Sequence, residues 1–291
     1  MTSVFLTCYR QRTCLVLGSV LLCLAGGWSS ANAEDLSVAS TSRQSREAAL
    51  QAIPWQKLNA ASQQKLAPIL KNPALYRRMP VETIRCDHQM QTFLVRNPEV
   101  IVNIWQLMGI TQVQAKRIGE YLLDTSDGAG TNSQIELVYG TQDLHIYYGE
   151  GVYEGPLLVQ KVTGSCVILL QSEFGQDESG APTVTNRMDV FMQVDQVAAK
   201  FLAKTLHPLV GKSADYNFVE TARFVSRLSD TAQTNPTGIQ GLAARLTDCD
   251  AARRQEFSAL AAASAQRLQI TSRQIRAQSG DSSGERGTEL K

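Results

Sequence analysis

The stretch TIRCDHQMQTFLVRNPEVIVNIWQLMGI, residues 83–110, decides which fold is predicted, because the spacing of its apolar residues changes along its length. In the first half, TIRCDHQMQTFL, apolar and polar residues alternate almost strictly, which indicates a strand with one buried face. In the second half, Asn97 can cap a helix, Pro98 suits the first helical turn and Glu99 suits the positive end of the helix dipole. Apolar residues then recur at helical spacing up to Gly109, a typical helix stop. The stretch therefore predicts a strand that runs directly into a helix.

Six strand-like runs follow this helix, and turn-forming sequences such as DGAG and GQDESGAP separate most of them. The runs are residues 115–125, 131–140, 142–153, 156–163, 165–175 and 183–195. Links this short favour antiparallel neighbours. A helix over VAAKFLAKTLHPLV is then expected to end near Pro208 and Gly211, and SADYNFVETARFVSRLSDTAQ predicts a long amphipathic helix after it. The element order indicates an α+β fold in which the last long helix covers one face of a sheet.

The first 33 residues have the three-part order of a secretory signal peptide. Arg10 and Arg12 precede the apolar run CLVLGSVLLCLAGG, and Ala31-Asn32-Ala33 is a small-x-small cleavage site. The run is short for a membrane span, and no later stretch is apolar enough to cross a bilayer. We therefore expect an exported protein, periplasmic or extracellular, without a transmembrane segment after signal removal.

Four further segments lie outside the sheet pattern. The polar residues 34–46 are expected to be a disordered linker, and residues 47–80 a helical preface. Residues 234–278 are expected to form a C-terminal helical extension, and residues 279–291 a disordered tail. The Ala-, Gln- and Arg-rich part of the extension, 250–278, has a thin apolar stripe, which predicts a peripheral or partly mobile helix that could meet a protein partner.

Charge and cysteine content narrow the possible partners. Removing Arg10 and Arg12 leaves 28 − 2 = 26 basic residues against 27 acidic residues, so the mature net charge is about −1. Nothing in this balance draws the protein to nucleic acid or to an anionic membrane surface. Cys86, Cys166 and Cys249 remain after signal removal, and they are either three buried thiols or one disulfide and one free thiol.

The order of strand, helix, six antiparallel strands and long helix resembles the START-like, or SRPBCC, helix-grip superfamily over about residues 81–233. The resemblance rests on RNPEVIVNIWQLMGI after the first strand and DYNFVETARFV after the last, without a catalytic signature. It implies a curved seven-stranded antiparallel sheet that wraps a long C-terminal helix and encloses an apolar cavity, with helical extensions at both ends. Members bind lipids, sterols and polyketides, and some are cyclases or dehydratases. The alternative is a generic α+β sheet without a cavity.

Side chains alternate between the two faces of a sheet along each strand, and this alternation predicts the face on which His88 and His145 lie. His88 falls on the apolar face of the first strand, which is therefore the inner face. In the run 142–153, Leu144, Ile146 and Tyr148 share the buried face, so the same logic points His145 and its neighbour Tyr147 to solvent. His88 is then a buried histidine with a hydrogen-bond partner, a polar anchor for a ligand head group, or an acid–base residue.

The residues expected to line a ligand cavity lie on the inner faces of the strands and on the two helices that cover them. They are His88, Met90, Trp105, Tyr148, Met188, Met192, Phe218, Ala222 and Val225. Methionine adapts its shape to irregular ligands, but it is also ordinary core filler. Trp105 is either an anchor between helix and sheet or a wall of the cavity mouth.

Motifs for other chemistry are weak or missing. Cys86, His88 and Cys166 could be drawn as a metal site, but they come from only two predicted strands and lack an obvious fourth ligand. A Cys86–His88 nucleophile pair would be separated by about 6.5–7 Å along the strand, beyond hydrogen-bond reach. No GxSxG, HExxH or EF-hand pattern occurs. We therefore expect no metal and no cofactor.

Three functions remain open at this stage. The first is an exported carrier or binding protein for a small apolar or amphipathic ligand, lipid-like or otherwise, held between sheet and long helix. The second is an enzyme of cyclase or dehydratase type with His88 as its acid–base residue. The third is a non-catalytic interaction or scaffold protein with a filled core. Fold resemblance alone does not decide between them.

Overall fold

The computed structural model describes residues 38–155, 160–195 and 207–281. The strands in these ranges are β1 (Leu75–Arg78), β2 (Glu82–Arg85), β3 (Gln114–Arg117), β4 (Leu122–Ser126), β5 (Thr131–Gly140), β6 (Leu144–Tyr153), β7 (Val162–Gln176) and β8 (Pro182–Val194). The helices are α1 (Arg43–Gln51), α2 (Ala60–Lys71), α3 (His88–Arg96), α4 (Pro98–Leu107), α5 (His207–Thr234), α6 (Pro236–Ala244) and α7 (Ala251–Asp281). A short 3-10 turn, Trp55–Lys57, lies between α1 and α2.

All eight described strands belong to one open antiparallel sheet with the order β1-β8-β7-β6-β5-β4-β3. Strand β2 also pairs with β8, so β1 and β2 occupy successive lengths of the same edge. The predicted α+β architecture, a mainly antiparallel sheet with a long C-terminal helix and helices at both ends, is confirmed. The strand count is eight and not the expected seven. Leu75–Arg78 of the helical preface is a strand, and the run 115–125 folds back at Gly119 into β3 and β4. The described end of the run 156–163, from Val162, belongs to β7 and is not a separate strand.

The predicted first strand is wrong beyond Arg85. Asp87 is the N-cap of α3, and its carboxylate accepts hydrogen bonds from the backbone N–H groups of Gln89 (3.1 Å) and Met90 (3.0 Å). The helix therefore begins at His88. Its buried apolar side chains, Met90, Phe93 and Leu94, then follow at helical spacing. A carboxylate at the N-cap stabilises the start of a helix, because it accepts hydrogen bonds from N–H groups that have no partner within the helix.

The predicted helix over residues 98–108 is confirmed, and it ends before Gly109, whose φ of +69° suits glycine. Helix α5 runs without a break through Gly211, so the expected helix end near Pro208 and Gly211 is wrong. Proline near the first turn of a helix lacks only an N–H that has no helical partner there. Residues 196–206 of the predicted preceding helix lie outside the described residues, as do residues 156–159 of the predicted run 156–163.

The sheet is covered on both faces. Helices α1 and α2 pack on the outer face, where Ile146, Leu169 and Phe191 are fully buried. Helices α3, α4 and α5 lie against the inner face, and α6 and α7 pack on these helices. All five helices contribute to the second apolar core. Because both faces are buried, the alternation of apolar and polar residues along β6 does not distinguish a wet face from a dry one.

The N-terminal linker is ordered where it is described. Ser40 exchanges two backbone hydrogen bonds with Arg78, of 2.9 and 2.7 Å, and Ser42 caps α1. The prediction of disorder for 34–46 is therefore wrong from Ser40 onward. Residues 1–33, assigned to a signal peptide, lie outside the described residues, and so does most of the tail 279–291. In the described ranges no helix is long and apolar enough to cross a membrane.

Helix α7 is part of the body and is not peripheral, in contrast to the prediction for 250–278. Phe257 is fully buried and stacks on Phe93 with ring centroids 5.9 Å apart. Arg267 donates hydrogen bonds of 2.9 and 2.8 Å to the carboxylate of Asp87. The buried small residue Ala261 lets the helix approach closely, so a thin apolar stripe is enough to dock it.

Candidate ligand cavity

An apolar cavity of about 230 Å³ lies between the inner face of the sheet and helices α3, α4 and α5. The apolar part of its lining includes Ile84, Leu94, Ile101, Trp105, Ile135, Ile168, Leu170, Met188, Val190, Met192, Phe218, Ala222 and Val225. Pockets for small molecules are typically concave and largely apolar, with a few placed polar groups. This cavity has that composition.

Six of the nine residues predicted to contact a ligand line the cavity. They are Trp105, Met188, Met192, Phe218, Ala222 and Val225. The two methionines share a face of β8 because strand side chains alternate, and the three α5 residues recur at spacings of four and three along one helical stripe. These placements follow from the element types, which the sequence predicted correctly for β8 and for residues 213–233 of α5.

His88 does not line the cavity, and its predicted position on the inner face of a strand is wrong. As the first residue of α3 it lies at the edge of the body, with its ring 4.7 Å from that of Phe174. Its Nε2 atom is 3.3 Å from the carbonyl oxygen of Gly175. The imidazole is therefore a partnered side chain outside the cavity.

Met90 and Tyr148 also lie elsewhere. Met90 is fully buried in the core that α3 shares with α7, so it is filler and not cavity wall. Tyr148 points to the outer face of the sheet, where its hydroxyl donates to Glu150 Oε2 (2.7 Å) and Lys65 Nζ lies 5.3 Å from the ring centroid. The prediction that Tyr148 shares a buried face with Ile146 is right, but that face belongs to the other side of the sheet.

His145 is buried, with 1% of its surface exposed, so its predicted exposure to solvent is wrong. Its Nε2 accepts a hydrogen bond of 3.1 Å from Arg96 Nε. Burial, and then the nearby Arg96 charge, lower the pKa of His145 to about 4. Tyr147 lines the cavity from the same face of β6 and donates its hydroxyl to the carbonyl of Val95. Burial raises the pKa of Tyr147 above its ordinary value.

A short polar chain crosses one wall of the cavity. Gln91 Nε2 donates to Asn186 Oδ1, and Ser172 Oγ donates to the same oxygen, each over 2.9 Å. Gln91 and Asn186 line the cavity, and all three side chains are buried. The sequence prediction missed Gln91 because a strand would place it on the polar face. With Asp87 as N-cap, Gln91 and Leu94 share one helical face.

The charged side chain that lines the described cavity is Arg77 of β1. Its guanidinium forms a two-pronged ion pair with Asp215 of α5, with Nε donating to Oδ1 over 2.8 Å. The pair joins the edge of the sheet to the long helix and neutralises the charge. The wall therefore presents little net charge to a ligand.

The three described cysteines are free and buried, which answers the question that the sequence left open. Burial raises the pKa of Cys86, Cys166 and Cys249 to about 12 in each case, so the thiols are protonated at neutral pH. Cys86 and His88 have separate partners, since the Cys86 thiol donates to the carbonyl of Asp87. Across the described ranges, no group of three or more His, Cys, Asp or Glu residues could hold a metal ion.

Comparisons with family models and with curated proteins give no match to this chain. Among solved structures, the hypothetical protein jhp0584 from Helicobacter pylori is similar with 11% identity and a TM-score of 0.32, over 49% of this chain and 86% of that one. The di-domain ARO/CYC BexL from the BE-7585A biosynthetic pathway is similar with 16% identity and a TM-score of 0.26, over 58% of this chain and 52% of that one. Structural similarity at this level does not indicate a function. The proposal of a function therefore rests on the geometry of the cavity.

Proposed function

We propose that the protein binds a small, largely apolar molecule in the cavity between the sheet and α5. The observation that carries the proposal is the apolar cavity of about 230 Å³. An engineered apolar cavity of about 150 Å³ binds benzene, so this one has room for a ligand larger than a single aromatic ring. Trp105, Met188, Met192, Phe218, Ala222 and Val225 are the proposed apolar contacts.

The lining supports binding better than acid–base catalysis. Its described titratable side chains are Arg77, which Asp215 holds, and Tyr147, whose pKa burial raises. Arg77 is held in its ion pair, and the raised pKa of Tyr147 makes its hydroxyl a poor proton-transfer group at neutral pH. The cyclase or dehydratase hypothesis rested on His88, which lies outside the cavity, and the scaffold hypothesis rested on a filled core. We therefore prefer a binding or carrier role.

We also propose that the protein belongs to the START-like superfamily and that it is exported. The antiparallel sheet, the long helix α5 and the cavity between them support the START-like resemblance over residues 81–233. Export is supported by the signal-like order of residues 1–33 alone. Mass spectrometry of the protein from its own host tests export, and we expect a mature chain beginning at Glu34 outside the cytoplasm. A chain that retains Met1 and stays in the cytoplasm would contradict it.

Filling the cavity tests the binding proposal. Ala222 is buried and lines the cavity from α5, so Ala222→Phe places a ring in the proposed ligand volume. Arg227→Phe adds the same ring to the exposed side of the same helix and serves as the matched control. With naphthalene as probe, calorimetry should show binding by the wild type and the control, and a loss of about tenfold or more for Ala222→Phe. No binding by the wild type, or equal binding by all three proteins, would refute the proposal.

The natural ligand can be sought directly. Native mass spectrometry of protein purified from its own host should show a co-purifying small molecule that is absent from the Ala222→Phe variant. Repeatedly empty wild-type protein would count against a carrier role.

A further inference from the structure

The side chain of Asn186 on β8 has hydrogen-bond donors that its protein neighbours leave unused. Its Oδ1 atom accepts from Gln91 Nε2 and from Ser172 Oγ, each over 2.9 Å. Its Nδ2 group can donate two hydrogen bonds, but it has no partner in the parts of the chain that the structure describes. Buried polar groups are nearly always paired, because an unpaired one loses its hydrogen bond to water and gains nothing in return. The Nδ2 group is therefore ready for a partner from outside the protein.

The Nδ2 group can be reached from the cavity. Asn186 lines the cavity, and 4% of its surface is exposed. The unpaired side-chain atoms that are sealed inside the described body include Oε1 of Gln91, but they do not include Nδ2 of Asn186. Since Nδ2 keeps accessible surface and its residue borders the cavity, a molecule in the cavity can contact this group.

The amide of Asn186 is fixed before any ligand binds. Gln91 and Ser172 both hold its oxygen, and all three side chains are buried. A group fixed in this way loses little conformational entropy when a ligand binds. Val184 and Met188, which flank Asn186 on the same face of β8, are apolar. A buried water needs two to four polar partners, so this stretch of β8 suits an oxygen on an apolar ligand better than a lone water.

Asn186 lies at the end of the cavity where α5 is bonded to the rest of the body. Strand β2 pairs with β8 beside Asn186, and Ser226 of α5 donates to the carbonyl of Arg85 at the end of β2 over 2.8 Å. The ion pair of Arg77 and Asp215 lies further along the same sheet edge, and its side chains keep 13% and 19% exposure. A ligand bonded to Asn186 therefore has its polar atom at the more enclosed end and its apolar body towards the ion pair.

We infer that the cavity recognises a small, neutral, apolar ligand with a carbonyl group, and that Asn186 Nδ2 donates a hydrogen bond to the carbonyl oxygen. The inference rests on the proposed function, since it concerns the same cavity. A carbonyl oxygen only accepts, which matches an N–H group that only donates. A ligand N–H at the same place would meet a second donor and stay unpaired.

The charge of the lining favours a neutral carbonyl over a carboxylate. Arg77 is the charged side chain in the described lining, and Asp215 already holds its guanidinium. A carboxylate beside Asn186 would lose its hydration without gaining a free cation. The ligand class that fits is a ketone, aldehyde or ester with an apolar body.

Three probes with the same bicyclic skeleton test the inference by calorimetry on the full chain. They are tetralin, which has no polar atom, 1-tetralone, which carries a carbonyl, and 1,2,3,4-tetrahydroquinoline, which carries an N–H. Asn186→Leu should weaken the binding of 1-tetralone about tenfold, because the buried carbonyl loses its donor, and should change tetralin binding less than twofold. The wild type should also bind 1-tetralone more tightly than tetrahydroquinoline.

A matched variant and a spectroscopic measurement keep the test independent of how Asn186→Leu folds. Asn132→Leu makes the same substitution at an exposed position of β5 and should leave the affinities for all three probes unchanged. Infrared spectroscopy of 1-tetralone labelled with ¹³C at the carbonyl needs no variant. On the wild type, its C=O stretch should lie at a lower wavenumber than in cyclohexane, because a hydrogen bond weakens the C=O bond.

The outcomes separate this inference from the cavity proposal. If tetralin and 1-tetralone bind the wild type but the bound C=O stretch equals that in cyclohexane, the carbonyl inference is overturned and the cavity proposal stands. Equal losses of both probes in folded Asn186→Leu, or tighter binding of tetrahydroquinoline than of 1-tetralone, would also overturn it. If no probe binds the wild type, the cavity proposal and the inference are both refuted.

Discussion

The two faces of the sheet are built from the same strands but differ in how completely they are filled. On the outer face, α1 and α2 cover side chains such as Leu169 and Phe191 that are fully buried. On the inner face, neighbouring residues such as Leu170 and Met192 border a cavity of about 230 Å³. The outer face is therefore filled with side chains, whereas the inner face leaves the space in which we propose that a ligand binds.

Two adjacent arginines of β1 form ion pairs on opposite faces of the sheet, and the two pairs differ in burial. Arg78 faces outward and donates to Asp189 over 2.8 and 3.2 Å, and Asp189 has no exposed surface. Tyr76 donates its hydroxyl to the same carboxylate over 2.6 Å. Arg77 faces inward and pairs with Asp215, and both of these side chains keep some exposure.

The largest expected effect comes from breaking the outer pair. Asp189→Ala leaves the buried Arg78 guanidinium without its anion and should lower the free energy of unfolding by about 3–5 kcal/mol. Asp215→Ala removes the anion of Arg77, but this pair keeps some exposure to solvent, so its cost should be smaller, about 1–2 kcal/mol. Urea unfolding followed by circular dichroism measures both. Equal losses in the two variants would contradict the contrast between the faces.

Two consecutive leucines of β7 give a matched test of packing. Leu169→Ala opens a void in the filled outer layer and should cost about 2–5 kcal/mol. Leu170 already borders empty space, so Leu170→Ala removes fewer contacts and should cost roughly half as much. Both variants are measured by urea unfolding under identical conditions. A larger loss for Leu170→Ala would show that the inner face is the better packed.

A pH dependence of stability is expected from His145 on the inner face. The pKa of His145 is about 4 in the folded protein and 6.5 in its ordinary state, so the unfolded chain binds the proton more tightly. The stabilisation from the neutral ring is complete above pH 6.5 and is lost as the pH falls from 6.5 towards 4. The loss should be about 1–3 kcal/mol, with Arg96 opposing and Asp143 favouring protonation.

His145→Gln tests this dependence, because glutamine can accept the Arg96 hydrogen bond through its side-chain oxygen without titrating. Urea unfolding at several pH values should show a shallower fall in stability for the variant across that interval. An unchanged slope would mean that His145 is not the group responsible.

Predictions from sequence succeeded where one element type explained the whole pattern. The helix over 98–107, the strand β8 and the apolar stripe of α5 were predicted, and six cavity-lining residues came with them. They failed at residues 86–94, where apolar residues spaced by two and by four fit a strand and a helix equally well. The cap formed by Asp87 decides for the helix, and that signal was present in the sequence.

Other features depend on what packs against a segment, which periodicity cannot reveal. The outer cover of α1 and α2 makes both faces of β6 interior, so His145 could not be assigned from alternation. The ion pair between Asp87 and Arg267 joins residues far apart in the chain, and it helps α7 to dock. Gln91 lines the cavity because its segment is a helix, so its position could not be predicted from a strand.

A crystal structure of the protein grown with naphthalene would show directly whether the cavity between the sheet and α5 holds a ligand. We expect electron density for the probe between Trp105, Met188 and Phe218, with the side chains of the outer face unchanged. A structure in which Met188 and Met192 fold into the space and no probe is bound there would contradict the account.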